Sequence, residues 1–167
     1  MKRTSMRYFA LLAGILTVLL AACSKNNDDF NVQEQFIKET AAIEAYLKTN
    51  NLSAERDTTT GIYYNIQNPG NGKDSITSPY AKVKVLYTGR LLSNGTVFDS
   101  TTTEPREFAY DQLISGWQLA LLEITKGGKL RMYLPSWYAY GTRSLAGIPA
   151  NSTLIFDMEL LDITYPQ

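Results

Sequence analysis

Histidine is absent from this sequence, and cysteine occurs once, as Cys23. Without histidine there can be no Ser-His-Asp or Cys-His catalysis, no imidazole acid–base chemistry and no His-ligated metal. A single cysteine excludes an intrachain disulfide and any multi-cysteine metal centre. Excess charge is also missing: 16 basic residues balance 16 acidic ones over 167 positions. Three of the basic residues, Lys2, Arg3 and Arg7, lie in an N-terminal stretch that holds no acid, so the remainder is mildly acidic. A nucleic-acid partner, which needs a basic footprint, is therefore not expected. Neither metals nor cofactors are implied. Hydrophobic residues make up 44% of the chain, enough for one packed domain rather than a disordered one.

The first apolar run is a leader rather than a part of the fold. Residues 1–22 carry a positive start followed by an almost wholly apolar stretch over 8–20, too short for a permanent membrane span. Leu20-Ala21-Ala22-Cys23 closes it and resembles the lipobox of bacterial lipoproteins, in which two small residues suit the peptidase and the thiol is alkylated. The resemblance implies a mature chain beginning at lipidated Cys23, anchored in the cell envelope on the periplasmic or surface face of the outer membrane. Acyl chains contribute about 0.8 kcal/mol per buried methylene, so a multiply acylated terminus holds firmly. Residues 23–31 read as a polar tether.

Residues 32–52 form an N-terminal helical unit. Val32, Phe36, Ile43 and Leu47, with Ile37 and Tyr46, recur at helical spacing, and Asn50 and Asn51 are the expected terminators. Such a helix packs on the following domain or holds it off the membrane; a dimerisation helix is the alternative. Over 53–167 the period changes to two. Strands are expected at 61–66, at 82–87, from Phe98 after the Ser93-Asn94-Gly95 turn, at 129–134 and at 154–160. Only one short helix interrupts them, with Trp117, Ala120, Leu121 and Ile124 on one face. Strands with one helix on a face make an α+β domain.

Five blocks then occur in order. They are Val85-Leu86-Tyr87-Thr88-Gly89; Gly95-Thr96-Val97-Phe98-Asp99-Ser100; Leu113-Ile114-Ser115-Gly116-Trp117; Tyr138-Ala139-Tyr140-Gly141; and a closing segment over 148–161 beginning Ile148-Pro149-Ala150-Asn151. Together, over roughly residues 61–163, they resemble the FKBP-type peptidyl-prolyl cis-trans isomerases. The resemblance implies a sheet of about five or six antiparallel strands wrapped around the short helix. It also implies a pocket between them with the Trp117 indole as floor. Carried over residue by residue, Asp99, Tyr140 and Phe98 are the expected catalytic residues. Tyr87, Leu113, Ile114, Trp117 and Phe156 are the expected substrate-binding ones. The Ile114 amide and the Tyr140 hydroxyl would hold substrate carbonyls, and Asp99 would lie beside the reacting carbonyl. Proline-containing polypeptides are the implied partners, and macrolide inhibitors a further ligand class.

Three positions depart from the family pattern. The arginine that follows the Phe-Asp pair in strongly active members is replaced by the stretch Thr101-Thr102-Thr103-Glu104, leaving Arg106 or Arg143 to brace Asp99. An aromatic expected two residues before Phe108 is Arg106, and the loop over 142–147 is about one residue shorter than in compact members, without their histidine. An isomerase that assists folding of exported or envelope proteins is the leading expectation. A non-catalytic proline-peptide-binding lipoprotein and a structural surface lipoprotein that reuses the fold are the alternatives.

Overall fold

The computed structural model describes residues 31–101 and 103–166. The leader and Cys23 lie outside the described residues. Helix α1 (Val32–Thr49) opens the described chain. The Asn31 side chain accepts hydrogen bonds from the Gln33 and Glu34 amides, both at 3.1 Å, which satisfies two otherwise orphaned donors of the first turn. The helix stops where expected: Asn50 caps it and Asn51 takes a φ of 51°, a left-handed conformation that asparagine tolerates.

Seven antiparallel strands follow: β1 (Glu55–Arg56), β2 (Tyr63–Asn68), β3 (Lys82–Leu91), β4 (Val97–Ser100), β5 (Arg106–Ala109), β6 (Lys129–Leu134) and β7 (Leu154–Thr164). They form one sheet in the order β1-β2-β6-β7-β3-β4, with β5 also paired to β3. The count exceeds the expected one for two reasons. β1 is a two-residue edge fragment that pairs with β2. The free side of β3 is shared, its first half pairing with β5 and its second half with β4. The long central pair β3 and β7 spans ten aligned residues, from Lys82 opposite Thr164 to Leu91 opposite Leu154.

Alternation sends Val83, Val85 and Tyr87 of β3, Leu130, Met132 and Leu134 of β6, and Leu154, Phe156, Met158 and Leu160 of β7 into one core. Helix α2 (Ser115–Leu121) covers this face with buried Trp117, Ala120 and Leu121. Ile124 lies beyond the end of α2 yet is 1% exposed, so the apolar spacing outlasts the helix itself. A second, smaller cluster sits on the opposite face, where Ile43 and Leu47 of α1 meet Tyr63, Tyr133 and Ile155. α1 is thus packed on the domain. The apolar residues at its start do not all join in: Val32 is 39% and Ile37 58% exposed. Among the described residues, no helix is long and apolar enough to cross a membrane.

Candidate functional site

The inner core does not close completely. Between α2 and the outer half of the sheet a cavity of about 300 Å³ is lined by Tyr87, Phe98, Asp99, Arg106, Phe108, Gln112, Leu113, Ile114, Trp117, Tyr140 and Phe156. All eight site residues expected from the sequence in this region meet there. Phe108, Arg106 and Gln112 join them. Phe108 follows from the alternation of β5, whereas Gln112, in a 3-10 turn (Tyr110–Gln112), carries no periodic signal that could have marked it.

Trp117 sits at the centre of an aromatic cage. Its indole meets Tyr87, Phe108 and Phe156 edge-on, with ring centroids at 4.8, 5.9 and 5.2 Å. Phe98 stands edge-on to Phe156 at 5.7 Å. Edge-to-face contacts suit the ring quadrupoles and hold each plane at a defined angle. The cage depends on Gly89 of β3. A Cβ at this position would lie 2.6 Å from the Phe98 ring and 2.8 Å from that of Phe156, so only glycine lets both rings approach the strand. Among the described residues, the indole N–H is one of two buried side-chain polar atoms without a hydrogen-bond partner.

Polar groups concentrate on one side. The Tyr87 hydroxyl donates to Asp99 Oδ2 at 2.5 Å. Arg106 Nη1 donates to the Tyr87 hydroxyl oxygen at 2.8 Å and lies 3.2 and 3.3 Å from the two Asp99 oxygens. The guanidinium carbon also lies 5.8 Å from the Tyr87 ring centroid. Of the two arginines left open by the sequence, Arg106 is the one at the carboxylate. Burial pushes the Tyr87 phenol up to about 12, and its bond to Asp99 adds to the shift against the opposing Arg106 charge. Tyr140 is raised as well, first by burial and then by the Asp99 charge, with Arg143 opposing. Both phenols are therefore neutral hydroxyls near pH 7 and can donate.

Tyr140 arrives from a different part of the chain. β6 ends at Leu134, a 3-10 turn (Ser136–Tyr138) follows, and Tyr140 comes two residues after it, before Gly141 at φ +57°. The loop over 142–147 supplies none of the cavity lining among the described residues. The described residues also contain no cluster of three or more metal-ligating side chains. What the arrangement can do is hold an apolar ring against Trp117 while neutral hydroxyls and one braced carboxylate orient an attached amide.

Comparison with known proteins agrees with this geometry. The family model for the FKBP-type peptidyl-prolyl cis-trans isomerase matches residues 73–161. The chain is 38% identical over 136 residues to the FKBP-type peptidyl-prolyl cis-trans isomerase FkpA of Buchnera aphidicola, covering 80% of this chain and 54% of that one. It is 45% identical over 111 residues to a probable FKBP-type peptidyl-prolyl cis-trans isomerase of Haemophilus influenzae, covering 65% and 45%. The chain thus spans about half the length of these curated relatives. Among solved structures, Escherichia coli FkpA superposes with a TM-score of 0.65 at 35% identity, over 80% of this chain and 64% of that chain. A peptidyl-prolyl cis-trans isomerase of Pseudomonas syringae superposes with a TM-score of 0.64 at 28% identity, over 80% of this chain and 96% of that chain. This chain belongs to the FKBP-type peptidyl-prolyl cis-trans isomerase family.

Proposed function

We propose that the chain is a peptidyl-prolyl cis-trans isomerase that assists the folding of exported or envelope polypeptides, working from a lipid anchor at Cys23. The observation that carries the activity is the aromatic cage over Trp117, with Asp99 and Tyr140 in the same cavity. Rotation about a peptide bond faces a barrier of roughly 18–20 kcal/mol but makes and breaks no covalent bond, so a site without histidine suffices. Polar solvent stabilises the planar, charge-separated amide more than the twisted one. A dry pocket that grips the twisted form more tightly therefore lowers the barrier.

In this reading the proline ring lies against Trp117, walled by Tyr87, Phe98, Leu113 and Phe156. The Tyr140 hydroxyl and the Ile114 amide hold carbonyls on either side of the bond. Asp99, oriented by Tyr87 and Arg106, lies beside the reacting carbonyl. A macrolide ring system would compete for the same cage. The lipobox-like segment ending at Cys23 supports a lipid anchor, and the acidic balance of the mature chain argues against nucleic-acid partners.

The test is acceleration of Xaa-Pro isomerisation in a protease-coupled or NMR-exchange assay, run over several residues before proline. The chain should accelerate it, and Tyr140→Phe or Asp99→Leu should each lower kcat/KM by about tenfold or more. No acceleration with any test peptide sinks the isomerase reading. Saturable peptide binding without acceleration would leave a non-catalytic holding module. Cys23→Ser should move the protein out of the membrane fraction, and retention there would overturn the lipid anchor.

A further inference from the structure

α1 carries a carboxylate where packing alone would place an apolar side chain. Glu39 is 4% exposed, and among the described residues no lysine or arginine forms a salt bridge with it. A buried carboxylate is costly unless donors surround it. Three donors do. The Ser136 amide donates to Oε2 at 2.6 Å, the Ser136 hydroxyl to Oε1 at 2.7 Å, and the Gln35 side-chain amide to Oε1 at 2.5 Å. Two of the three belong to one residue, itself 4% exposed and 97 positions away in sequence.

Ser136 is the anchor of the segment that carries Tyr140. Its carbonyl accepts from the Ala139 amide at 2.9 Å and from the Gly141 amide at 2.8 Å, the two amides flanking Tyr140. The Gly141 carbonyl accepts in turn from the Asn151 amide at 2.8 Å. Phe36, one turn before Glu39, lies edge-on to Tyr138 with centroids 6.4 Å apart. A helix that only had to adhere could do so with Ile43 and Leu47, which meet the sheet in the outer cluster. The Glu39 bonds reach a different place.

We propose that Glu39 is a positioning residue for Tyr140: through the amide and hydroxyl of Ser136 it fixes the turn that aims the Tyr140 hydroxyl, so that α1 forms part of the working isomerase. The proposal rests on the reading of Tyr140 as a site residue. A hydroxyl displaced by a fraction of an ångström loses its alignment with the substrate carbonyl, and small misplacements cost rate steeply.

The experiment compares Glu39→Gln with Glu44→Gln in the full chain. Glu44 lies on the same helix and accepts from the Tyr63 hydroxyl at 2.5 Å, a link to the sheet that does not reach the Ser136 turn. Glu39→Gln should lower kcat/KM for an Xaa-Pro peptide about tenfold. It should also speed hydrogen exchange of the Ala139 and Gly141 amides. Glu44→Gln should lower the thermal midpoint without either effect. In a Tyr140→Phe background, Glu39→Gln should cost less than about twofold more, because both changes act on one contact.

Wild-type kcat/KM and exchange in Glu39→Gln would overturn the proposal, as would a tenfold loss that persists in Tyr140→Phe. If Glu39→Gln does not fold, Ser136→Ala removes one of the three bonds while keeping the chain intact, and the same readouts apply. A wild-type chain that does not accelerate isomerisation would defeat the isomerase reading alone. The exchange rates would then still decide whether Glu39 holds the turn.

Discussion

Arg106 ties together two polar side chains of the cavity, the Tyr87 hydroxyl and the Asp99 carboxylate. It begins β5, paired opposite Val85 of β3, so its side chain reaches Tyr87 two residues further along that strand and Asp99 on the neighbouring β4. The ion pair is about half exposed on both sides, at 51% and 43%. Exposed pairs of this kind contribute roughly 0–1 kcal/mol, so orientation of Asp99 matters more here than stability. Arg106→Leu should therefore lower kcat/KM by about fivefold while shifting the thermal midpoint little. Unchanged kinetics would mean that Tyr87 holds Asp99 unaided. The sequence leaves Arg106 or Arg143 as the brace. Choosing between them needs the β3–β5 register, which is a long-range pairing.

At the scale of elements, α2 shows how a short helix is placed by a close approach. A Cβ on Gly116 would lie 2.2 Å from Leu134 Cδ1 and 2.5 Å from Cδ2. Leu134 is fully buried, so its side chain can yield only by pressing on packed neighbours. Gly116→Ala should therefore destabilise the fold by about 1–3 kcal/mol, read as a lower denaturation midpoint. An unchanged midpoint would show that β6 can retreat from the helix. Because Trp117 follows directly, the variant should also weaken peptide binding. Periodicity locates this helix and its apolar face, but not the reason for glycine in Ser115-Gly116-Trp117. For α1, the same periodicity gives Ile43 and Leu47 of the buried face but also Val32 and Ile37, which are exposed, and residue type gives the asparagine stops. It does not mark Glu39, since a glutamate on an amphipathic helix reads as solvent-facing.

Across the whole molecule, the sheet is buried on two faces by two different helices, and tyrosines lie on both. Burial, reinforced in each case by a carboxylate partner, pushes Tyr87 of the inner core and Tyr63 of the outer cluster from 10.0 up to about 12. A raised phenol keeps its proton in the folded chain while the unfolded chain loses it. The stabilising contribution is therefore complete below pH 10 and is lost as the pH rises toward 12. Denaturant midpoints measured from pH 8 to 12 should stay level and then fall above about 10. Replacing Tyr63 and Tyr87 by Phe should reduce that fall, and an equal fall in the double variant would assign it to other groups.

What the sequence determined alone was everything encoded locally or by an ordered set of motifs: the α+β class, the N-terminal helical unit over 32–52 with its asparagine stops, the alternation of the long strands, and the eight residues that meet around one cavity. Hydrophobic period and turn chemistry are properties of neighbouring residues, and the five blocks keep their order whatever the loops do. Tertiary structure decided the rest. It divided the free side of β3 between β4 and β5, set Arg106 rather than Arg143 against Asp99, and sank Glu39 onto Ser136. Each of these depends on residues brought together by strand register or helix docking, where a carboxylate's burial and its donors are defined only once the sheet has formed.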